Sequence, residues 1–358
     1  MITTTNSVNR GNKIYIGGQK KNVIRLSFFF IILSCLIIVS TSIGPFHIPF
    51  QHSLAIILDH LHITSGSAFT EKEMTVIKSI RLPRVLVGAL VGAGLGISGA
   101  IMQGIFRNPL VEPGYIGVSS GAAVAAVIVL YFGLTRFSMW VLPLAAFVGA
   151  ALSLFFVLII WQVSKKTSIS TLLLVGLGMN LFLSAVMSVF IASAPSEQEL
   201  RGIVFWLQGG LEARTWEHVQ LISPIIIGAI LLVSIFSREL NVMLLGDEQA
   251  KSSGVNVKRS RYILLGLAAL MVGAGVSVSG TIGFVGLVVP HAIRLIFGPD
   301  HRFLLPASAL GGASFLVLAD IVSRTMIQPV SVQVGVVCSL IGAPVFLFLV
   351  LKSRRGSL

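Results

Sequence analysis

The sequence predicts an all-α polytopic membrane protein of about ten transmembrane helices built as an inverted repeat, and three observations carry that prediction. The first is composition. Of 358 residues, 55% are hydrophobic and only 11% charged, with a mean hydropathy of +0.94, whereas soluble domains carry roughly 25% charged residues. The second is that ten apolar stretches can be marked, at about 23–43, 84–105, 114–133, 139–163, 170–193, 220–237, 262–280, 282–297, 303–322 and 331–351. Most approach the ~20 residues that a helix needs to cross a bilayer. The third is a repeat: VGAGLGISGAI at 91–101 returns 181 residues later as VGAGVSVSGTI at 272–282, with seven of eleven positions identical. The copies fall on the second and seventh spans, five crossings apart, so they run in opposite directions, as inverted repeats of transporters do.

Charge sets the orientation. With the N-terminus in the cytoplasm, the inner segments hold 18 of the 26 Lys and Arg and five acidic residues, and the outer segments hold eight of each sign. The whole excess of +13 therefore lies on one face. That is the asymmetry of a membrane protein oriented by its basic loops, and no nucleic-acid surface is read from it. Both termini are expected in the cytoplasm and the chain in the cell membrane. Cys35 and Cys338 sit inside apolar runs, which argues for packing residues and against a disulfide framework.

In chain order, residues 1–22 are polar and basic and are expected to form a disordered cytoplasmic tail; 23–351 form the permease domain, with repeat halves at about 81–194 and 262–351; 352–358 form a second tail. The first apolar run lacks a small-residue cleavage site and is read as an uncleaved span. An outer segment follows, in which SLAIILDHL at 53–61 suits a short amphipathic helix on the membrane surface. Its histidines, His47, His52, His60 and His62, show no ligand-pair spacing, so neither metal nor cofactor is expected. Arg81 and Arg84 then stand where the second span enters the bilayer. Two readings are open for them: interfacial anchors, or a docking point for carboxylates of a partner.

The second span holds Gly92, Gly94, Gly96, Ser98 and Gly99, small residues that let helix backbones meet in lipid. It ends in FRNPLVEPG, broken at Asn108-Pro109 and Pro113-Gly114. Backbone broken at membrane depth must be satisfied by protein or a water-filled cavity, which places this turn against a translocation path or its inner mouth. Gln103 and Asn108 are its polar side chains, with hydrogen bonding between helices as the alternative role. Lys165 and Lys166 mark the next inner loop, whose hydroxyls Thr167, Ser168, Ser170 and Thr171 either cap the fifth span or form an inner constriction. Trp206 and Trp216 in the outer stretch 194–219 are expected in the headgroup belt.

The longest inner connection contains LGDEQAKSSGV at 245–255. Asp247 is an N-cap candidate and Gly254 a C-terminal stop for a short helix, which is either a solvated turn or a knob that fits a cleft on a partner. Asp320 lies four residues before Arg324 in the ninth span, and an ion pair at the outer rim offsets the cost of an acid at membrane depth. The sequence contains no GxxxxGK[ST] loop, so energy is expected from a partner or an ion gradient.

At these residues the chain resembles the FecCD type of permease, found in binding-protein-dependent ABC importers of iron chelates and cobalamin. The motifs are RLPR at 81–84, SGAIMQGIFRNPLVEPGYIGVSSGAA at 98–123, LGDEQAKSSGV, GTIGFVGLVVPHAIR at 280–294 and the Asp320–Arg324 pair. The resemblance implies a type II ABC importer permease fold, two subunits enclosing a path, a cytoplasmic ATPase dimer, an extracytoplasmic substrate-binding protein and no enzymatic activity of its own. It implies that Arg81, Arg84 and Arg324 receive glutamates of the binding protein. The segment with Gly246, Asp247, Glu248, Ala250 and Gly254 docks on the ATPase, and Ser168, Ser170 and Thr171 fall near an inner gate, with Asn108 and Pro109 at the path. The cargo implied is a ferric siderophore or haem, with cobalamin as the alternative; an ion-coupled secondary transporter is the rival class.

Overall fold

The computed structural model describes residues 5–44, 46, 48–60, 69–164, 168–327 and 331–355, so His47, His62, Lys165, Lys166 and Thr167 lie outside the described residues. The described residues form helices and turns without strands. Helix α1 (Thr5–Ser42) is followed by α2 (Phe50–His60) and α3 (Glu71–Thr75), which runs through a π-helical turn (Val76–Arg81) into α4 (Leu82–Phe106). Next come α5 (Val118–Tyr131), α6 (Val141–Val163), α7 (Ile169–Ala192), α8 (Glu197–Leu207), α9 (Trp216–Ile235), α10 (Ser237–Met243) and α11 (Asp247–Ser252). The chain closes with α12 (Val257–Ser279), α13 (Val285–Phe297), α14 (His301–Thr325) and α15 (Val334–Arg355).

Among the described residues seven helical stretches are long and apolar enough to cross a membrane, and three shorter apolar helices, α5, α13 and Val334–Leu349 of α15, occupy the third, eighth and tenth expected positions. Of these, α5 and α13 are short because α4 and α12 are each followed by a break, whereas α15 as a whole runs 22 residues, Val334–Arg355. Two expectations change here. Helix α1 extends back to Thr5, into the tail marked as disordered: no proline interrupts it, and lengthening a nucleated helix costs little per residue. Over 53–60 this segment is helical, but α2 turns its apolar face onto protein, burying Ile56 with Ile48 and Ile77.

The repeat is visible as an exchange of packing partners. Helix α4 packs on α14 and α13 of the second half, and α12, which carries the second motif copy, packs on α6 and α5 of the first. The two motif helices also pack on each other: Ser98 Oγ of α4 donates to the Ala268 carbonyl of α12 at 3.2 Å, and a Cβ on Gly275 of the second copy would lie 3.3 Å from Val91 of the first. A Cβ on Gly92 would lie 2.3 Å from the Gly312 carbonyl oxygen, one on Gly96 2.2 Å from that of Ser308, and one on Gly99 1.8 Å from that of Gly286. These glycines therefore set backbone-to-backbone contact, the attraction available to helices that share an apolar solvent. The equivalent position in the second copy, Gly273, faces Ala150 on α6.

Candidate functional site

Three places gather the polar groups that a helix bundle in lipid would otherwise exclude. Two lie at opposite ends of α4, about 35 Å apart at 1.5 Å per residue, and the third lies between the helix breaks.

At the Arg84 end, Asp320 is 1% exposed and meets two guanidinium groups. Arg84 Nη2 is 2.8 Å from its Oδ1 and Arg324 Nε 3.0 Å from its Oδ2. Arg324 also donates to the Ile43 carbonyl at 2.6 Å and to Ser40 Oγ at 2.7 Å. Arg81 donates to the carbonyls of Thr41 at 2.8 Å and Ser42 at 2.9 Å, and to that of Phe46. The last carbonyls of α1 have no helical partner of their own, and cations are favoured at a helix C-terminus. The three arginines that the sequence singles out are thus brought to one rim, but Arg81 and Arg324 are buried there as anchors of α1. The Arg84 side chain keeps 15% of its surface exposed. Burial, and then the neighbouring Arg84 charge, pull the adjacent loop residue Arg214 below the usual guanidinium range, while Glu212 opposes them.

At the other end, Asp247 joins two arginines: Arg107 at the end of α4, 2.7 Å from Oδ1, and Arg261 of α12, 2.9 Å from Oδ2. Asp247 is therefore not the N-cap of α11. Gly246 takes that position at φ +116, a conformation open to glycine, which frees the carboxylate for the arginines. The predicted C-terminal stop forms: Val255 N donates to the Ala250 carbonyl and Gly254 N to that of Lys251, both at 3.0 Å, with Gly254 at φ +80. This is a Schellman motif. Ala250 is fully buried beneath it, and Glu248 and Gly254 remain exposed.

Between these ends, the turn after α4 does not stay at the mouth of the bundle. It re-enters to the level of the middle of three helices. Pro113 lies where a Cβ on Gly286 would meet it, beside the Leu95 carbonyl. Ser153 of α6 donates to the Gly117 carbonyl at 2.7 Å, and Asn180 of α7 to that of Gly114 at 3.0 Å. Side chains thereby satisfy the carbonyls of the break, the condition for irregular backbone at such depth. The second break, Gly280–Phe284, is closed by the loop after α8: Gly210 N donates to the Ser279 carbonyl at 2.8 Å. That insertion also draws Trp206 into the core, beside Gly280, away from the headgroup position expected for it. Trp216 stays peripheral, donating to the Lys78 carbonyl and stacking on His60.

A cavity of about 420 Å³ lies between the two breaks, with Glu112, Tyr115, Ser119, Asn180 and Phe284 in its wall. None of the side chains expected at the path is among those lining this cavity. Gln103 is fully buried and donates to the Leu287 carbonyl at 3.0 Å, a bond between helices. Asn108 folds its Oδ1 onto the Leu110 N–H at 2.9 Å beside Pro109. Ser168 caps α7, accepting from Thr171 N at 3.1 Å, and Ser170 is exposed in the first turn of that helix. Glu112 escaped sequence reasoning because a carboxylate after a proline-containing turn looks like an ordinary loop residue.

Apolar helices, an inverted repeat and two helix breaks facing one cavity define a polytopic membrane permease. A model of the FecCD transport family matches residues 31–352. The ABC transporter permease protein YvrB of Bacillus subtilis (strain 168) is 43% identical over 340 residues, covering 92% of this chain and 94% of YvrB. The hemin transport system permease protein HmuU of Yersinia pestis is 39% identical, covering 95% and 99%. The cobalamin import system permease protein BtuC of Halobacterium salinarum is 44% identical, covering 80% and 75%. A solved inward-facing metal-chelate type ABC transporter superposes with a TM-score of 0.81 at 31% identity, covering 91% of this chain and 98% of that one. The chain belongs to the FecCD transport family, and it is a permease of the ABC importer class.

Proposed function

We propose that this permease carries an iron chelate, a ferric siderophore or haem, across the cell membrane into the cytoplasm by alternating access, driven by a separate ATPase dimer and supplied by an extracytoplasmic binding protein. The observation that carries the cargo class is the near end-to-end alignment with a hemin transport permease. Cobalamin is the second reading, supported by the comparable identity to a cobalamin permease. Both termini lie in the cytoplasm, so the Asp247 end faces the ATPase and the Arg84 end faces the binding protein. The exposed surface of α11, with Leu245 at 68% exposure beside it, is the coupling knob. Arg84 is the docking residue with accessible charge, and Arg81 and Arg324 shape the rim around it. Ser168, Ser170, Thr171, Asn108 and Pro109 flank the inner opening. A second permease copy covers the exposed apolar face of α7, on which Leu174 and Leu181 are 67% and 66% exposed.

The test is uptake by vesicles containing the permease with its ATPase and binding protein. Labelled ferric chelates, haem and cobalamin are offered in parallel, with and without internal ATP. Accumulation that persists without the ATPase would sink the ATP-driven reading in favour of an ion-coupled transporter. Accumulation of cobalamin alone would replace the iron cargo. Tags at both ends that are accessible only from outside intact cells would reverse the orientation.

A further inference from the structure

The cavity between the helix breaks has one feature that its surroundings do not explain. Among the described residues lining it, Glu112 is the only carboxylate, Tyr115 is the only other titratable group, and none is cationic. Asp320 shows how this fold treats an acid that it needs for structure, with two guanidinium groups within 3.0 Å. Glu112 instead lies beside Phe284 in the wall of the cavity, across the junction between the first break and the second. Ser120 and Asn180 do not supply a counter-charge, since they are engaged with each other at 2.7 Å and Asn180 with the Gly114 carbonyl. An ionisable group facing a cavity inside a membrane bundle is costly to maintain and marks the route of a solute.

Position strengthens the point. The wall holding Glu112 is contributed by both halves of the repeat, and residues 281–284 and 286 of the second half face residues 112–115 of the first. Leu177, which lines the same cavity, is 53% exposed on the face of α7 that a second copy covers, so a cargo passing between the two copies would meet this carboxylate near the middle of its route. A negative charge in a low-dielectric wall attracts hydrogen-bond donors and cations and repels carboxylates.

We propose that Glu112 is a specificity-determining residue of the translocation path, which favours chelates with ammonium or hydroxyl groups at their periphery and resists chelates bearing free carboxylates. The inference rests on the importer reading above, and the experiment separates the two. Vesicles holding the permease, its ATPase and its binding protein are offered three ferric trihydroxamate chelates that are alike except for a pendant ammonium, hydroxyl or carboxylate. Each is supplied at a concentration that saturates the binding protein. In Glu112→Gln the uptake ratio of the carboxylate to the ammonium chelate should rise about tenfold over wild type, because the repelling charge is gone. Glu112→Asp should keep the wild-type ratio. Ser119→Asp, which adds a second carboxylate to the same wall, should lower it. An unchanged ratio in both Glu112→Gln and Ser119→Asp overturns the inference. If Glu112→Gln does not assemble, an unchanged ratio in Ser119→Asp alone overturns it. Wild-type vesicles that carry haem or cobalamin but none of the three chelates overturn the siderophore reading, and vesicles that carry none of these solutes overturn the cargo classes proposed above.

Discussion

Arg84 and Asp320, 236 residues apart in the chain, meet in an ion pair at 2.8 Å that joins the start of α4 to the last turns of α14. Each belongs to a different half of the repeat. The pair therefore ties the halves together at one rim, on the same two helices whose glycines hold them together below.

Removing the acid should cost more than removing either base. Asp320→Asn leaves the buried Arg324 and the partly exposed Arg84 without a counter-charge, and breaking a buried pair costs about 3–5 kcal/mol. Thermal unfolding in lipid nanodiscs should show a larger fall for Asp320→Asn than for Arg84→Gln, which leaves Asp320 its contact with Arg324.

Docking at this rim should be electrostatic and centred on Arg84. Arg84→Gln is expected to weaken binding-protein affinity about tenfold at low salt, with the difference shrinking as salt rises. Affinity measured in nanodiscs that does not change at any salt concentration removes Arg84 from the docking surface.

Coupling should fail through the Schellman turn without global unfolding. Gly254 sits at φ +80 with open space around it. Gly254→Val therefore meets no steric clash there, but holds an L-residue in a left-handed conformation at a cost of roughly 1–2 kcal/mol. The expected result is a protein that still purifies as a folded species and loses ATP-driven uptake. Full uptake by this variant would show that α11 does not transmit the stroke.

The small-residue stripe should tolerate no side chain where it touches backbone. A Cβ at Gly99 would fall 1.8 Å from the Gly286 carbonyl oxygen, whereas Gly228 on α9 has nothing within 4 Å. Gly99→Ala should destabilise by about 1–3 kcal/mol or more, the usual cost of overpacking. Gly228→Ala should be neutral or slightly stabilising in the same melting assay.

Much of this was legible in the residues. Apolar runs marked the positions of the spans because a bilayer imposes a length, and the duplicated VGAG motif announced two antiparallel halves. Gly254 marked the end of α11, since a Schellman turn asks for a glycine at that place. Other features were misread for local reasons. Asp247 has the chemistry of an N-cap, but two arginines distant in sequence claim its oxygens. Trp206 has the chemistry of a headgroup residue, but the loop after α8 inserts into the second break and draws it inward. Gln103 admitted two roles along the chain, and its bond to the Leu287 carbonyl of α13 fills the one between helices.

The sequence by itself determined the solvent of this protein, the positions of its spans, the relation between its halves and the glycine that stops α11, because each follows from composition, from repetition along the chain or from contacts within a few residues. The tertiary structure alone decided which carbonyl each glycine meets, that Arg81 and Arg324 anchor the end of α1, and that Glu112 returns to the middle of the bundle beside Phe284. Those outcomes depend on how helices distant in sequence are brought side by side, and a pattern along one helix specifies which face is small or polar without specifying its neighbour.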